Sequence, residues 1–238
     1  MLKIIYEDNH IIVAQKPYNI PSQADKTEDE DMLTLLKKYI KEKYHKPGEV
    51  YLGLVHRLDR PVGGIMVFAR TSKAASRLSE SIRKNEFHKR YLAVVEGKFE
   101  DKTGIFENYL YKNEALNKSM VVSKDKKGAK LARLSYEVLD EKIVGEKSTV
   151  KSAEIHSLVK IFLETGRHHQ IRVQFANAGH PLMGDQKYGK SAPGIQIALW
   201  AYELEFKHPT RDEIMKFTCL PEKLGDWNQD ISTLFPFK

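Results

Sequence analysis

Residues 55–69 read Val55-His56-Arg57-Leu58-Asp59-Arg60-Pro61-Val62-Gly63-Gly64-Ile65-Met66-Val67-Phe68-Ala69. The run Ile65–Ala69 is unbroken and apolar, the mark of a short buried strand. The double glycine before it lets the backbone bend tightly or lie close to a neighbour. Upstream, Leu52–Val55 is a second short apolar strand, so His56–Arg60 is a polar turn between two strands. Asp59 on that turn is flanked by Arg57 and Arg60, and nearby cations keep a carboxylate ionised. An ionised Asp at a strand end can serve as nucleophile or base. An ordinary surface ion pair with turn glycines has the same spelling.

On either side, the pattern alternates between strands and a few helices. Leu2–Glu7 and His10–Gln15 read as strands joined by a turn at Asp8-Asn9. Asp31 is placed to cap a helix running to about Tyr44, with Leu35, Leu36, Tyr39 and Ile40 at helical spacing. Thr71 or Ser72 caps a second helix to about Asn85, and His88–Glu96 alternates as a strand. Strands follow near Gly104–Lys112, Lys118–Ser123, Ala129–Leu139 and Ala153–Leu163, with Glu141–Thr149 read as polar loop. A helix is expected over about His168–Ala178, with Gly179 at its C-terminal cap. Ile197–Lys207 and Glu213–Cys219 are further strands, and the tail from Pro221 includes a short helix. Runs of strands without strict βαβ alternation predict an α+β fold with a mixed, largely antiparallel sheet. No repeat or flexible linker interrupts residues 1–238, which predicts one domain.

Of 238 residues, 39 are Lys or Arg and 32 Asp or Glu, a formal net charge of +7. With 41% hydrophobic residues, this is a folding composition. No apolar run approaches the roughly 20 residues a membrane helix needs. The start carries Lys3, Glu7 and Asp8, unlike a signal peptide. The one cysteine, Cys219, makes neither an internal disulfide nor a zinc cluster. A cytosolic protein with a polyanionic partner, most simply nucleic acid, is the expectation. Charge is uneven. Residues 25–31 hold five acids and one lysine. From Lys112 to Arg133 there are seven basic residues (Lys112, Lys118, Lys124, Lys126, Lys127, Lys130 and Arg133) against Glu114 and Asp125. Such a ribbon either attracts phosphates or is a solvated hairpin.

Two more stretches carry possible chemistry. Thr165-Gly166-Arg167-His168-His169-Gln170-Ile171-Arg172 gathers basic groups at a helix start, where free amides and the dipole favour an anion. The adjacent histidines lack the partners of a zinc site. Gly184-Asp185-Gln186-Lys187-Tyr188-Gly189-Lys190-Ser191 spells a nucleotide-hydrolase phosphate loop. That reading needs a buried strand before it and a helix from Lys190, yet Pro193-Gly194 breaks a nascent helix. The spelling is therefore read as accidental.

Across nearly its whole length the chain resembles the RluA family of RNA pseudouridine synthases. The matching blocks are Ile5–Asp8 with Val13–Pro17, His56–Arg60, Lys89–Gly97, Thr165–Gln174 with Gly179–Pro181 and Gly184–Gly189, and Leu204–Pro209. Gly63 stands where the family commonly has serine, His168 where it has Thr or Ser, and Trp200 where it often has His. The resemblance implies a pseudouridine synthase fold, a central sheet flanked by helices with a catalytic cleft. It implies isomerisation of uridine in ribosomal or transfer RNA by a monomer without metal or cofactor. Asp59 would be the nucleophile, Arg172 its partner, and Tyr91 the ring stacked on the flipped uracil. Arg57, Arg60, Arg167, His169, Lys89, Lys118 and Lys130 would hold RNA. The pattern begins at residue 3, so the small RNA-binding module that many members carry ahead of it is expected to be absent. A non-catalytic RNA-binding relative and the phosphate-loop hydrolase are the alternatives.

Overall fold

A computed structural model describes residues 2–144, 154–227 and 229–235. In chain order the elements are β1 (Lys3–Glu7), β2 (Ile11–Lys16), α1 (Met32–Lys43), β3 (Gly53–Leu54), β4 (Gly63–Ala69), α2 (Ser72–Arg83) and β5 (His88–Glu96). Then come β6 (Thr103–Asn113), β7 (Lys118–Val122), β8 (Lys130–Val144), β9 (Glu154–Leu163), α3 (Gln170–Asn177), β10 (Leu199–Lys207) and β11 (Ile214–Thr218), with a 3-10 turn at Gln229–Leu234. The fold class is α+β, as the strand pattern predicted. Among the described residues, no helix is long and apolar enough to cross a membrane.

The chain packs as two compact units, one of the residues up to Lys89 with Ala201–Cys219, the other of Arg90–Trp200 with the residues from Leu220 on. In the first unit, β1 and β2 pair antiparallel through a turn that Asp8 closes, its Oδ1 accepting from the amides of His10 (2.7 Å) and Ile11 (2.8 Å). β2 pairs antiparallel with β4, from Ile11↔Ala69 to Lys16↔Gly64. Ile11–Ala14 and Ile65–Ala69 are wholly buried, so the continuous apolar runs are strands with no solvent face. Gly64 has φ +128°, and a Cβ there would lie 2.2 Å from the Ala201 carbonyl oxygen. The second glycine of the opening motif is thus the one that permits close approach. Both helices of this unit begin where the caps predicted. Asp31 accepts from Leu33 (2.9 Å) and Thr34 (3.2 Å), and Thr71 accepts from Ala74 (3.1 Å). β10 pairs antiparallel with β11 from Glu203↔Thr218 to Lys207↔Ile214.

In the second unit, β6, β8 and β9 form a long antiparallel ladder, with β7 folded back on β6. β8 runs to Val144 instead of ending at Leu139, because its polar end pairs with β9, from Glu141↔Ser157 to Val144↔Glu154. That overturns the polar-loop reading over Glu141–Val144. The rest of that stretch lies outside the described residues. Phe106, Tyr136 and Phe175 make the aromatic core, with ring centroids 5.0–5.8 Å apart. α3 starts at Gln170, not His168. His169 is left-handed (φ 53°), and the Gln170 side chain holds the approach by accepting from the Arg167 amide (3.0 Å) and Thr165 Oγ1 (2.7 Å).

Candidate active site

In the first unit, Asp59 sits on the turn between β3 and β4, and the backbone on both sides of it is fastened. Ser22 Oγ donates to the Leu58 carbonyl (2.9 Å) and accepts from the Leu58 amide (3.2 Å). The Val62 amide closes the turn onto the Asp59 carbonyl (2.9 Å). Lys16, fully buried at the end of β2, donates from Nζ to the carbonyls of Pro17 (3.0 Å), Arg60 (2.9 Å) and Val62 (2.6 Å). Burial pushes the Lys16 ammonium down to about 7, with the Asp59 charge acting to raise it and the Arg60 charge to lower it. Sequence reading placed Lys16 only in a matching block and passed over Ser22. Apart from Pro17, their partners lie 36 to 46 residues away, and no local pattern announces contacts of that span.

His56 is tied to the scaffold, its Nε2 accepting from the Val67 amide (3.1 Å). Burial, and secondarily the charge of Lys89, push its pKa down to about 3, so it stays neutral. Lys89, at the start of β5, is also lowered by burial. Arg57 is exposed. Arg60 is held by the acidic segment, pairing with Asp29, lying 3.7 Å from Asp25 and donating to Thr27 Oγ1 (2.8 Å).

In the second unit, Tyr91 is buried in β5. Arg172, in the first turn of α3, is buried and binds Asp185 side-on, Nε to Oδ2 and Nη2 to Oδ1, both at 2.8 Å. Burial acts to raise the pKa of Asp185, but Arg172 and the amides of Lys187 and Tyr188 outweigh it and hold the carboxyl below the ordinary range. Tyr188 OH accepts from the Ser119 amide (2.7 Å) and is hydrogen-bonded to His169 Nδ1 (2.9 Å). Ser119 Oγ donates to the His168 carbonyl (2.8 Å). The two histidines, stacked 3.7 Å apart, therefore brace the approach to α3 against β7. Lys118 lies 5.0 Å from the Tyr188 ring, Lys130 is exposed at the start of β8, and Arg167 donates to the Leu131 carbonyl (2.8 Å). The basic ribbon is partly neutralised. Lys112 pairs with Glu114 (2.6 Å), and Arg133 with Glu107 and Glu164 (both 3.0 Å).

The phosphate-loop alternative fails on geometry. No helix begins at Lys190-Ser191, and only an isolated bridge at Leu182 precedes the glycines. The amides that would cradle a phosphate are spent within the loop. Those of Lys187 (2.9 Å) and Tyr188 (3.2 Å) reach the Asp185 carboxylate, and that of Gly184 reaches Ser191 Oγ (2.9 Å). Asp185, unremarked as a functional residue in the sequence, is the carboxylate that holds Arg172.

Comparison with known proteins bears on the same residues. The family model for RNA pseudouridylate synthase matches residues 10–177. Ribosomal large subunit pseudouridine synthase D of Nitrosomonas europaea is 32% identical over 98% of this chain and 66% of its own length. The uncharacterized RNA pseudouridine synthase YhcT of Bacillus subtilis is 32% identical over 90% of this chain and 67% of its own. The chain thus spans about two thirds of the length of these relatives. In fold it is similar to human RNA pseudouridylate synthase domain containing 4, with a TM-score of 0.71 at 23% identity, covering 93% of this chain and 88% of that one. The match takes in the fastened Asp59 turn, β5 with Tyr91 and the first turn of α3 with Arg172, and on it the chain belongs to the RNA pseudouridylate synthase family.

Proposed function

We propose that the chain isomerises uridine to pseudouridine in structured RNA, as one catalytic domain and with Asp59 as the nucleophile. The observation that carries this is the turn itself. Ser22 and Lys16 hold the backbone before and after Asp59, which leaves its carboxylate on a rigid support. The names of relatives that act on the ribosomal large subunit favour ribosomal RNA as the substrate. A cytoplasmic enzyme working as a monomer fits that reading.

The reaction breaks N1–C1′ and joins C5 to C1′, so no atom is added and no redox or group-carrying cofactor is needed. A stacked base is out of reach and must be flipped out of the helix. Asp59 supplies the carboxylate, and at the end C5 loses its proton to solvent while the freed N1 takes one up, so the product is an isomer of the substrate. Tyr91 stacks on the uracil and stands close to the C5 proton. Asp185 binds Arg172 through Nε and Nη2 and so keeps the guanidinium rigid, and Arg172 would be the partner that holds Asp59 ionised and aimed. Arg57, Arg60, Arg167, His169, Lys89, Lys118 and Lys130 serve the RNA backbone.

Asp59→Asn is expected to keep RNA affinity within a few-fold and to abolish tritium release from RNA carrying 5-tritiated uridine. Retained release would remove Asp59 from the chemistry. Carbodiimide mapping of the RNA before and after incubation separates an isomerase from a non-catalytic RNA-binding relative.

A further inference from the structure

We infer that the acidic segment at residues 25–29 is an internal competitor for RNA, its carboxylates occupying on Arg60 the place a backbone phosphate takes in the complex. The inference deepens the proposed function and rests on its premise that Arg60 binds RNA. In a chain of net charge +7, residues 25–31 concentrate five acids, and two of them close on the arginine next to Asp59. Thr27 organises the contact. Its amide (2.9 Å) and hydroxyl (2.6 Å) donate to Asp25 Oδ1, and its hydroxyl oxygen accepts from Arg60 Nη1 (2.8 Å). Asp29 then takes Nη2. A planar guanidinium presents the same fork to a carboxylate as to a phosphate, so the two ligands exclude each other.

The segment is also built to let go. Arg60, Asp25 and Asp29 have side chains 39%, 41% and 52% exposed, and exposed ion pairs are individually weak and screened by salt. Glu28 between them has φ 59°, a left-handed conformation that a non-glycine residue adopts at a cost. Asp31, by contrast, is committed to capping α1 and takes no part. Releasing Asp25 and Asp29 disturbs no buried group. An RNA that brings only a phosphate to Arg60 must displace two acids, whereas one that makes many contacts elsewhere loses little by it.

The test uses the full chain and a fluorescein-labelled, uridine-containing stem-loop RNA, with Kd measured by anisotropy across a salt series. The double variant Asp25→Asn/Asp29→Asn is expected to bind about threefold tighter at low salt, as loss of two weak pairs implies. Its log Kd is expected to depend more steeply on log salt, because no freed carboxylate takes up cations. The gain must disappear when Arg60→Ala is added. No gain in the double variant, or the same gain with Arg60→Ala present, overturns the inference while leaving the proposed function standing. Absence of RNA binding by the wild-type chain and every variant overturns both. These acids are exposed and their amides isosteric, and unchanged far-ultraviolet circular dichroism confirms that the fold is intact.

Discussion

Arg60 and Arg172 are the same residue type in opposite settings. Arg60 is half exposed and gripped by acids on a surface segment, whereas Arg172 is buried side-on against a carboxylate with no exposure. Water competes with the first pair and screens it, so the partners can be exchanged for a phosphate. The second pair has been stripped of water, and removing either partner strands a charge in the interior. One arginine is therefore available to a ligand, and the other is fixed in place so that whatever it holds is held rigidly.

The largest effect expected from this contrast follows Asp185→Asn, which removes the charge of the buried carboxylate that binds Arg172. Urea denaturation should show a loss of roughly 3–5 kcal/mol, the usual cost of breaking a buried pair from one side. The pH dependence has a definite sign. The folded pKa of Asp185 lies below its unfolded value, so its contribution is complete above the unfolded pKa and is lost as pH falls through the folded one. Flat stability of the wild type on acidification, with the same stability in Asp185→Asn, would erase the distinction between the two arginines.

A middle-sized effect is expected at Lys16, whose removal as Lys16→Met takes the donor from three carbonyls, that of Val62 buried and those of Pro17 and Arg60 partly so. Stability should fall by roughly 2–3 kcal/mol. The folded pKa is about 7, below the ordinary lysine value. Between about pH 7 and 10 the unfolded chain therefore holds more protons, so wild-type stability rises with pH across that window. The rise should be missing in Lys16→Met, as thermal melts in a pH series would reveal. The smallest change in stability belongs to Arg60→Ala. Its urea midpoint should match the wild type within error while RNA affinity drops. A destabilisation comparable to that of Asp185→Asn would mean that Arg60 is structural as well.

How much of this was legible in the sequence depended on the range of the interactions. The caps at Asp31 and Thr71 and the bounds of β5 follow from residues within one turn or one strand, and they could be read directly. The end of β8 could not, because Glu141–Val144 looks like loop until β9 pairs with it. The start of α3 was misplaced for a similar reason, since Gln170 and the left-handed His169 hold back two residues of helical composition. At the candidate site, Asp59, Tyr91 and Arg172 were visible through ordered motifs, while Lys16, Ser22 and Asp185 emerged as supports only from their contacts.

By itself the sequence determined the α+β class, the order of the strands and helices, the blocks that carry the family resemblance and the excess of positive charge. These rest on hydrophobic periodicity, caps and residue identity, all of them local. Tertiary structure alone decided which acid meets which base. The Gly184–Ser191 stretch spells a phosphate loop but spends its amides on Asp185 and Ser191, and Asp185 in turn claims Arg172 from 13 residues away. The acidic run at 25–31 is a bare local excess of charge in the sequence, and its partner emerges only when Asp25 and Asp29 are found on Arg60. Charge pairing depends on distance and on the water left between partners, and both are set only when the chain has folded.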